Sequence, residues 1–321
     1  MKVNEIRVVA VSGSMDVLHE KTIDKVTEAL RSIGWKVSFS AHATDERSYG
    51  MADIRKRTDD LHTAFMDPQV AAILIGVGGT HAIELLPWLD FELIRTHPKP
   101  VCGFSDATVL LNAIYAVTGM ITYYGPLFFS FAVNADLDFT IDYWQKALFS
   151  KEPFALTPAL RWGNYMDMYR NFVNEGYQVI REGHADGILV GGHLPSLNLL
   201  QGTRYLPELE GAVLFVEICD RYGKDAVSKL NQYLDALLLQ KGADGLKGLL
   251  VGRLLKEEAV SSDELTASLL ARENLKHIPI IINVDFGHTT PMVTLPVGGR
   301  ISIDKDQLRV EQAQAEPNTG V

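Results

Sequence analysis

Short β-branched apolar runs alternate with amphipathic stretches along the first half of the chain. The predicted strands are residues 6–11, 35–41, 70–76 and 99–104. The predicted helices are residues 23–33, whose apolar positions recur at helical spacing before a glycine, Met51–Met66 and residues 106–117. The last two strands are unbroken apolar runs, which suit burial on both faces. This alternation is typical of a parallel sheet covered by helices.

A similar alternation returns in the second half, after a stretch of different character. Residues 150–182 have weak periodicity, two prolines and several aromatic residues, and predict a linker or lid. Beyond it, the predicted strands are residues 186–190, Ala212–Glu217, 246–252 and 279–284, and the predicted helices are residues 194–201, 225–240 and 261–274. We therefore predict an N-terminal domain at 1–150, a linker or lid at 151–185, a C-terminal domain at 186–311 and a polar, frayed tail at 312–321.

Length and composition narrow the class of protein. A chain of 321 residues suggests about two domains, and 47% hydrophobic with 22% charged residues is ordinary globular composition. The net charge of −10 argues against a nucleic acid polymer as partner. We find no apolar run near the ~20 residues of a membrane span and no signal-peptide hydrophobic region, so we expect a cytoplasmic protein without membrane contact. Cys102 and Cys219 lie in apolar runs and are predicted to be reduced core residues.

Ser105 lies between the predicted strand at 99–104 and the predicted helix that follows. The pattern Gly-x-Ser-x-Ala at 103–107 resembles a nucleophile elbow, in which small neighbours let a serine project from a strained turn, although that motif ends in glycine. The preference of helix starts for serine supports a second interpretation, in which Ser105 is simply the N-cap. Both interpretations remain open from this motif alone.

A serine nucleophile needs a base and an orienting carboxylate, and two further strand ends supply them. Glu217 comes directly after four apolar residues, and His288 follows the strand at 279–284 beside Gly287. Taken singly, Glu217 is explained as a solvated strand end and His288 as a structural histidine. Because sites in open α/β sheets form outside the carboxyl ends of strands, the three residues together predict a Ser105–His288–Glu217 triad.

Acyl transfer also needs donors for the oxyanion, and a glycine turn provides candidates. Gly78 and Gly79 follow the strand that precedes the Ser105 strand, so one of their N–H groups and the N–H of Asp106 form the expected pair. A phosphate cradle is the other interpretation of such glycines. However, the turn lacks the lysine of a P-loop and the spacing of a dinucleotide fingerprint.

With these residues assembled, the sequence resembles the LD-carboxypeptidase family of serine peptidases, which includes the microcin C immunity peptidases. Motif order and spacing agree from residues 8–14 to residues 296–298. The most specific stretches are GG at 78–79, LLPWLD at 85–90, GFSDAT at 103–108, YGP at 124–126, GILVGG at 187–192, LFVE at 214–217 and DFGH at 285–288.

The resemblance implies an α/β protein with a Rossmann-like N-terminal domain built on a parallel sheet, a smaller C-terminal α/β domain and the site at their junction. It implies Ser105 as nucleophile, His288 as base and Glu217 as orienting acid, with no cofactor and no metal, and a homodimer as the usual assembly. The chain departs from the family at His193, where asparagine is common, and at residues 80–82. Both departures concern the substrate cleft rather than the triad.

The implied activity is hydrolysis of a small peptide-like amide, either an L,D-peptide of murein turnover or an aminoacyl-nucleotide. Trp162 in the predicted lid, with Tyr165, Tyr169 and Tyr177 nearby, either stacks on a nucleobase or packs the domain junction. Candidates to bind a substrate anion are Arg221, Lys224 and Arg253, which are otherwise solvated surface charges. A non-catalytic ligand-binding protein with an inert Ser105 is the alternative function.

Overall fold

The computed structural model describes residues 4–48, 50–132, 136–165, 171–219, 225–255 and 262–312. Its strands are β1 (Glu5–Val9), β2 (Lys36–Phe39), β3 (Val70–Ile75), β4 (Val101–Gly103), β5 (Thr122–Tyr124), β6 (Phe154–Leu156), β7 (Arg161–Asn164), β8 (Phe172–Val173), β9 (Gln178–Arg181), β10 (His184–His193), β11 (Ala212–Glu217), β12 (Gly248–Gly252), β13 (Ile280–Val284), β14 (Thr289–Thr290), β15 (Leu295–Val297), β16 (Arg300–Asp304) and β17 (Gln307–Gln312). Its α-helices are α1 (Glu20–Ser32), α2 (Met51–Met66), α3 (Phe91–Thr96), α4 (Ala107–Thr118), α5 (Leu137–Phe149), α6 (Leu194–Asn198), α7 (Ala226–Leu238) and α8 (Ser262–Leu270). Among the described residues, no helix combines the length and hydropathy needed to cross a membrane.

The first sheet has six strands in the order β15-β5-β4-β3-β1-β2. The five strands from the first half all run parallel. β15, which comes from the far end of the chain, pairs antiparallel with β5 at the edge. Nearly every residue of β1 and β3 is buried. This burial explains the unbroken apolar run of β3, whereas β1 also carries Glu5 and Arg7.

The second sheet has eight strands in the order β6-β17-β16-β10-β11-β12-β13-β9. Its centre, β10 to β13, is parallel, and antiparallel strands extend it on both sides. α7 has a buried apolar stripe at Val227, Leu230, Leu234 and Leu237, the spacing of a helix that packs on one face. The protein is thus an α/β protein with two parallel-rich sheets.

The stretch predicted as a linker or lid, 151–185, contributes strands to the sheets. β6 pairs with β17 and β9 pairs with β13, so this stretch forms both edges of the second sheet. β7 pairs with β8 and with β14, and these make a third, three-stranded sheet. Short edge strands with one exposed face show only a weak periodicity of apolar and polar residues. The sequence pattern alone therefore did not reveal these strands. The domain boundaries and the lid role stay predictions.

The remaining predicted elements are present, most of them with shifted ends. β10 has ten residues where five were predicted, because the strand begins two residues earlier, at His184, and continues through two glycines to His193. α6, α7 and α8 end earlier than predicted, at Asn198, Leu238 and Leu270. Of the predicted tail at 312–321, only the end of β17 is among the described residues.

Helix α4 joins the two halves. Its residues 107–114 are all buried, and the helix contacts β5 of the first sheet as well as β10 of the second. The Asn112 side chain donates to the carbonyl of Gly191 at 2.8 Å and accepts the N–H of the same residue at 3.3 Å. One contiguous apolar core includes residues of both sheets. The turn before α4 is therefore held in a fixed position relative to the strand ends of the second sheet.

Candidate active site

Ser105 occupies a strained turn between β4 and α4. Its φ of 62° lies in the left-handed region, which a residue with a Cβ adopts at a cost of roughly 1–3 kcal/mol. Crowding explains the small residues on either side: a Cβ on Gly103 would lie 2.9 Å from Ile75 and 3.2 Å from the Ala107 Cβ. An alanine at position 107 thus fits, and the strained turn has the geometry of a nucleophile elbow.

The N-cap interpretation of Ser105 is wrong. α4 begins at Ala107, and the residue at its N-cap position is Asp106, whose side chain makes no capping hydrogen bond. The Ser105 hydroxyl lies instead 3.1 Å from Nε2 of His288. The Ser105 carbonyl, rather than the Ser105 hydroxyl, bonds to the first turn of α4, since this carbonyl accepts the Thr108 N–H.

His288 and Glu217 complete a continuous hydrogen-bonded chain with Ser105. Nδ1 of His288 lies 3.0 Å and 2.9 Å from the two carboxylate oxygens of Glu217. Glu217 ends β11 and His288 lies beyond the end of β13, whereas Ser105 follows β4 of the first sheet. The structure therefore brings together the three residues that the sequence predicted, from carboxyl ends of strands in both sheets.

Electrostatics fixes the tautomer of His288. Burial raises the pKa of Glu217, but the neighbouring His288 and a hydrogen bond from Tyr124 outweigh burial and hold that pKa below its usual value. An ionised carboxylate accepts hydrogen bonds only, so the proton between the two side chains belongs to Nδ1 of His288. Nε2 then presents its lone pair to the Ser105 hydroxyl, as a general base requires.

Tyr124 is a site residue for which sequence reasoning assigned no role. Its hydroxyl donates to Oε1 of Glu217 at 2.6 Å, and burial together with that carboxylate raises the pKa of Tyr124 well above its usual value. The phenol thus stays a donor and holds Oε1 of Glu217, an oxygen that His288 also contacts. Its position at the end of β5 was the available signal, because the other site residues also follow strand ends.

Gly287 lets Glu217 and His288 meet. Its φ is 95°, and a Cβ there would lie 2.6 Å from Cγ of Glu217. A side chain would therefore be strained in backbone and would also displace the carboxylate. The sequence suggested that this glycine permits an unusual turn, and both the positive φ and the close approach of Glu217 require it.

The predicted oxyanion residues lie beside Ser105. A Cβ on Gly78 would be 3.5 Å from the Ser105 Oγ, so the backbone of this turn passes close to the hydroxyl. A Cβ on Gly79 would overlap the Ser12 hydroxyl and lie 2.7 Å from the Gly13 nitrogen. Glycine at both positions lets the chain approach this closely. Asp106 is the residue directly after Ser105 and occupies the N-cap position of α4.

Arg253 is neither a solvated surface charge nor a cation free to bind a substrate anion. It is 7% exposed and forms an ion pair at 3.0 Å with Asp285, which is 1% exposed. The same guanidinium donates to Asn174 at 2.7 Å and lies 4.8 Å from the centre of the Trp162 ring. Burial raises the pKa of Asp285 despite this partner. The sequence did not reveal this cluster, because Asp285 follows a predicted strand and nothing in the sequence pairs it with Arg253.

Other residues singled out in the sequence lie around this framework. Trp162 packs on Arg253 and Phe172, which favours the packing interpretation, while its stacking on a base stays a prediction. The Tyr165 N–H donates to the His288 carbonyl at 2.9 Å, which ties β7 to the site. The His193 ring lies 5.4 Å from that of His288. Arg221, Lys224 and Tyr169 lie outside the described residues, and Cys102 and Cys219, both described, form no disulfide.

Both halves of the chain match models of one protein family. Residues 6–125 match the LD-carboxypeptidase N-terminal domain, and residues 186–303 match the LD-carboxypeptidase C-terminal domain. The chain belongs to the LD-carboxypeptidase family. The putative carboxypeptidase YocD of Bacillus subtilis (strain 168) is 40% identical over 308 residues, which cover 94% of each chain. Family and relatives together indicate a peptidase.

Solved structures of MccF and of an MccF-like protein share this fold. An MccF-like protein from Bacillus anthracis str. Ames has a TM-score of 0.93 and 37% identity, and the match covers 97% of this chain and 98% of that one. The microcin C7 self-immunity protein MccF in complex with glutamyl sulfamoyl guanosine has a TM-score of 0.83 and 26% identity, with 98% of both chains covered. The resemblance seen in the sequence is therefore confirmed at the level of family and fold.

Proposed function

We propose that this protein is a serine carboxypeptidase or amidase that hydrolyses a small peptide-like amide through Ser105, His288 and Glu217. One observation carries the proposal: the hydrogen-bonded chain from the Ser105 hydroxyl through both imidazole nitrogens to a buried carboxylate. A nucleophile, a base and an orienting acid in this order are what activate a serine. The strained backbone at Ser105 supports the same role.

The reaction has an acylation and a deacylation half. Nε2 of His288 takes the Ser105 proton while Oγ attacks the amide carbonyl, and Glu217 stabilises the imidazolium that forms. The imidazolium then gives its proton to the leaving amine as the C–N bond breaks. In the second half, His288 takes a proton from water as the water oxygen attacks the acyl carbon. The ester bond to Ser105 then breaks, and the imidazolium returns its proton to the Ser105 Oγ, which frees the acid product and the enzyme.

The oxyanion of each tetrahedral intermediate is assigned to two backbone donors. One is the N–H of Asp106, and the other belongs to the Gly78–Gly79 turn, whose backbone passes beside the Ser105 hydroxyl. Donors held in place before the reaction are worth about 10²–10³ in rate each. No cofactor enters this scheme.

The proposed substrate is an amide that carries an anionic group. MccF has been crystallised with aminoacyl sulfamoyl nucleosides, and a probable murein peptide carboxypeptidase of Bacillus subtilis is 25% identical over 290 residues, covering 88% of this chain and 84% of that protein. Both an aminoacyl-nucleotide and an L,D-peptide are therefore within the proposed class. Because Arg253 is committed to Asp285, the candidate cations for the anion are Arg221 and Lys224.

Ser105→Ala tests the proposal. The purified variant and the wild type are compared on an L,D-tetrapeptide and on an aminoacyl-adenylate analogue with a scissile amide bond. We expect hydrolysis of one class by the wild type and a loss of about 10³-fold or more in the variant, with binding retained. Unchanged hydrolysis by the variant would exclude Ser105 as nucleophile. Binding without turnover by the wild type would favour a ligand-binding protein instead.

The homodimer that the resemblance implies and the cytoplasmic location expected from the sequence remain part of the proposal. Size-exclusion chromatography with light scattering gives the mass directly, and a value near twice 35.5 kDa is expected.

A further inference from the structure

We propose that the carboxylate of Asp106 is a positioning group that fixes the spacing between the two oxyanion donors. This inference rests on the proposed function and extends it to a side chain with no assigned role. Asp106 supplies one donor through its own backbone N–H. Its side chain bonds to the segment that directly follows the glycine turn, which supplies the other donor.

The carboxylate of Asp106 is directed away from the helix that it precedes. The residue is 2% exposed and occupies the N-cap position of α4, yet its side chain makes no capping bond there. Its Oδ2 atom accepts hydrogen bonds from the Ala82 N–H, at 2.8 Å, and from the hydroxyl of Ser12. Since aspartate at a helix start normally caps the helix, this orientation points to a different use.

Ser12 extends the reach of the carboxylate to a second amide. The Ser12 side chain is fully buried, and its hydroxyl oxygen accepts the His81 N–H at 3.2 Å while the hydroxyl donates to Asp106. One carboxylate oxygen thus holds two consecutive amides, those of His81 and Ala82. These amides begin two residues after Gly79, so they set where the glycine turn ends.

The other side of the glycine turn rests on the loop after β1. The Gly13 N–H donates to the Gly78 carbonyl at 3.0 Å. Arg47 holds this loop by donating to the carbonyls of Ala10, Ser12 and Gly13 at 2.8, 3.1 and 2.9 Å.

A second buried arginine links this loop to the segment after the turn. Arg57 is 1% exposed and donates to the carbonyls of Val11 at 3.0 Å and His81 at 3.2 Å. Asp53 pairs with both arginines. The loop is therefore a rigid support, and Asp106 is the connection between that support and the Ser105 turn.

The physical consequence follows from how oxyanion donors work. Their stabilisation depends on groups that are already placed and need no reorganisation, within about 0.5 Å of the productive geometry. Removing the carboxylate would leave the Ala82 N–H and the Ser12 hydroxyl without their acceptor, and Ser12 would no longer be held in place to accept the His81 N–H. The glycine turn could then move relative to Ser105. We expect kcat to fall with little change in KM, because only the transition state carries the charge.

Three variants separate acceptance of hydrogen bonds from charge. Asp106→Ala removes the acceptor, Asp106→Asn keeps an oxygen that accepts both bonds, and Ser12→Ala removes the bridge to His81 alone. Thr140→Val is the matched control, because Thr140 is equally buried and its hydroxyl accepts a backbone N–H, from Met292 at 3.1 Å. Melting temperatures verify that each variant is folded.

We expect kcat to fall about 10- to 100-fold in Asp106→Ala and about 10-fold in Ser12→Ala, which is less than loss of a whole donor. KM should stay within about twofold, and Asp106→Asn should stay within a few-fold of wild type. A kcat in the Ala variants no lower than in Thr140→Val would overturn the inference. Equal damage in the Asn and Ala variants would overturn it as well, since acceptance is retained in one of them.

Amide hydrogen exchange provides a readout that does not depend on catalysis. The amides of His81 and Ala82 should exchange faster in Asp106→Ala than in Asp106→Asn or the control. Unchanged exchange would contradict the positioning role even if the protein hydrolysed none of the substrates tested. Retained activity of Ser105→Ala, in contrast, would refute the proposed function and not the placement of these amides.

Discussion

Glu217→Gln removes one charge from the site and leaves the side-chain shape unchanged. In the wild type, the buried carboxylate accepts His288 Nδ1–H at 2.9 Å and the Tyr124 hydroxyl at 2.6 Å. The amide keeps one acceptor oxygen and replaces the other with an NH₂ group, which faces either His288 or the opposite direction. If that group faces His288, Nδ1 becomes the acceptor and the proton moves to Nε2. The base would then be directed away from its task.

The magnitude follows from the charge that develops during the reaction. His288 becomes an imidazolium about 4 Å from the carboxylate centre, and two unit charges at that distance attract by ~4 kcal/mol at an effective dielectric constant of 20. The amide keeps only a part of this through its dipole. Since each 1.36 kcal/mol is tenfold in rate, we expect kcat to fall by roughly 10³-fold.

The assay is steady-state hydrolysis of whichever substrate the wild type turns over, with Glu5→Gln as control. Glu5 is also a buried carboxylate with hydrogen-bond donors around it, but it lies in β1 on the first sheet. We expect KM to change little in Glu217→Gln and both constants to be unchanged in the control. A kcat for Glu217→Gln within about tenfold of wild type would refute the assigned role of the carboxylate.

Three further predictions concern stability. Ser105→Gly should have a higher melting temperature than Ser105→Ala and be more stable by about 1 kcal/mol, because only glycine adopts a φ of 62° without strain. Equal melting temperatures would contradict backbone strain at this position. Arg253→Met should lower the free energy of unfolding in urea by about 3–5 kcal/mol and change Trp fluorescence. Adding Asp285→Asn should restore part of this free energy, because the buried carboxylate that lost its partner is then no longer charged. Burial raises the pKa of Glu5, but hydrogen bonds, first that of Lys36, outweigh burial and hold this pKa at about 2 against the ordinary 4.5. Glu5 therefore stabilises the fold above pH 4.5 and loses this contribution as the pH falls toward 2. Glu5→Gln should lower the free energy of unfolding by ~1–3 kcal/mol at pH 7, and this loss should shrink toward zero by pH 2. A difference between variant and wild type that does not change with pH would refute this assignment.

Much of the architecture was accessible from the sequence because it depends on local pattern. Unbroken apolar runs identified the buried parallel strands, and Met51–Met66 and Ala212–Glu217 were predicted with the bounds that the structure has. The stretch at 151–185 was not, because its short strands take their shape from partners far along the chain. An edge strand with one solvated face has no periodicity strong enough to distinguish it from a loop.

The candidate site divides along the same line. Reading strand ends selected Ser105, Glu217 and His288, because residues after parallel strands collect at one edge of a sheet. The sequence left two questions about Ser105 and Arg253 that depend on orientation and burial. A hydroxyl directed at an imidazole rather than at a helix start excluded the N-cap, and an ion pair with Asp285 excluded the solvated arginine.

By itself, the sequence determined the alternation of strands and helices, the family and the strand ends from which a site could be built, since these depend on the order and spacing of residue types. Only the tertiary structure decided which of those ends meet across the two sheets and which buried groups support them. Hydrogen bonds act over about 3 Å, whereas Ser105 and His288 are 183 positions apart in the chain. Their contact follows from the packing of α4 between the two sheets, which no local pattern in the sequence specifies.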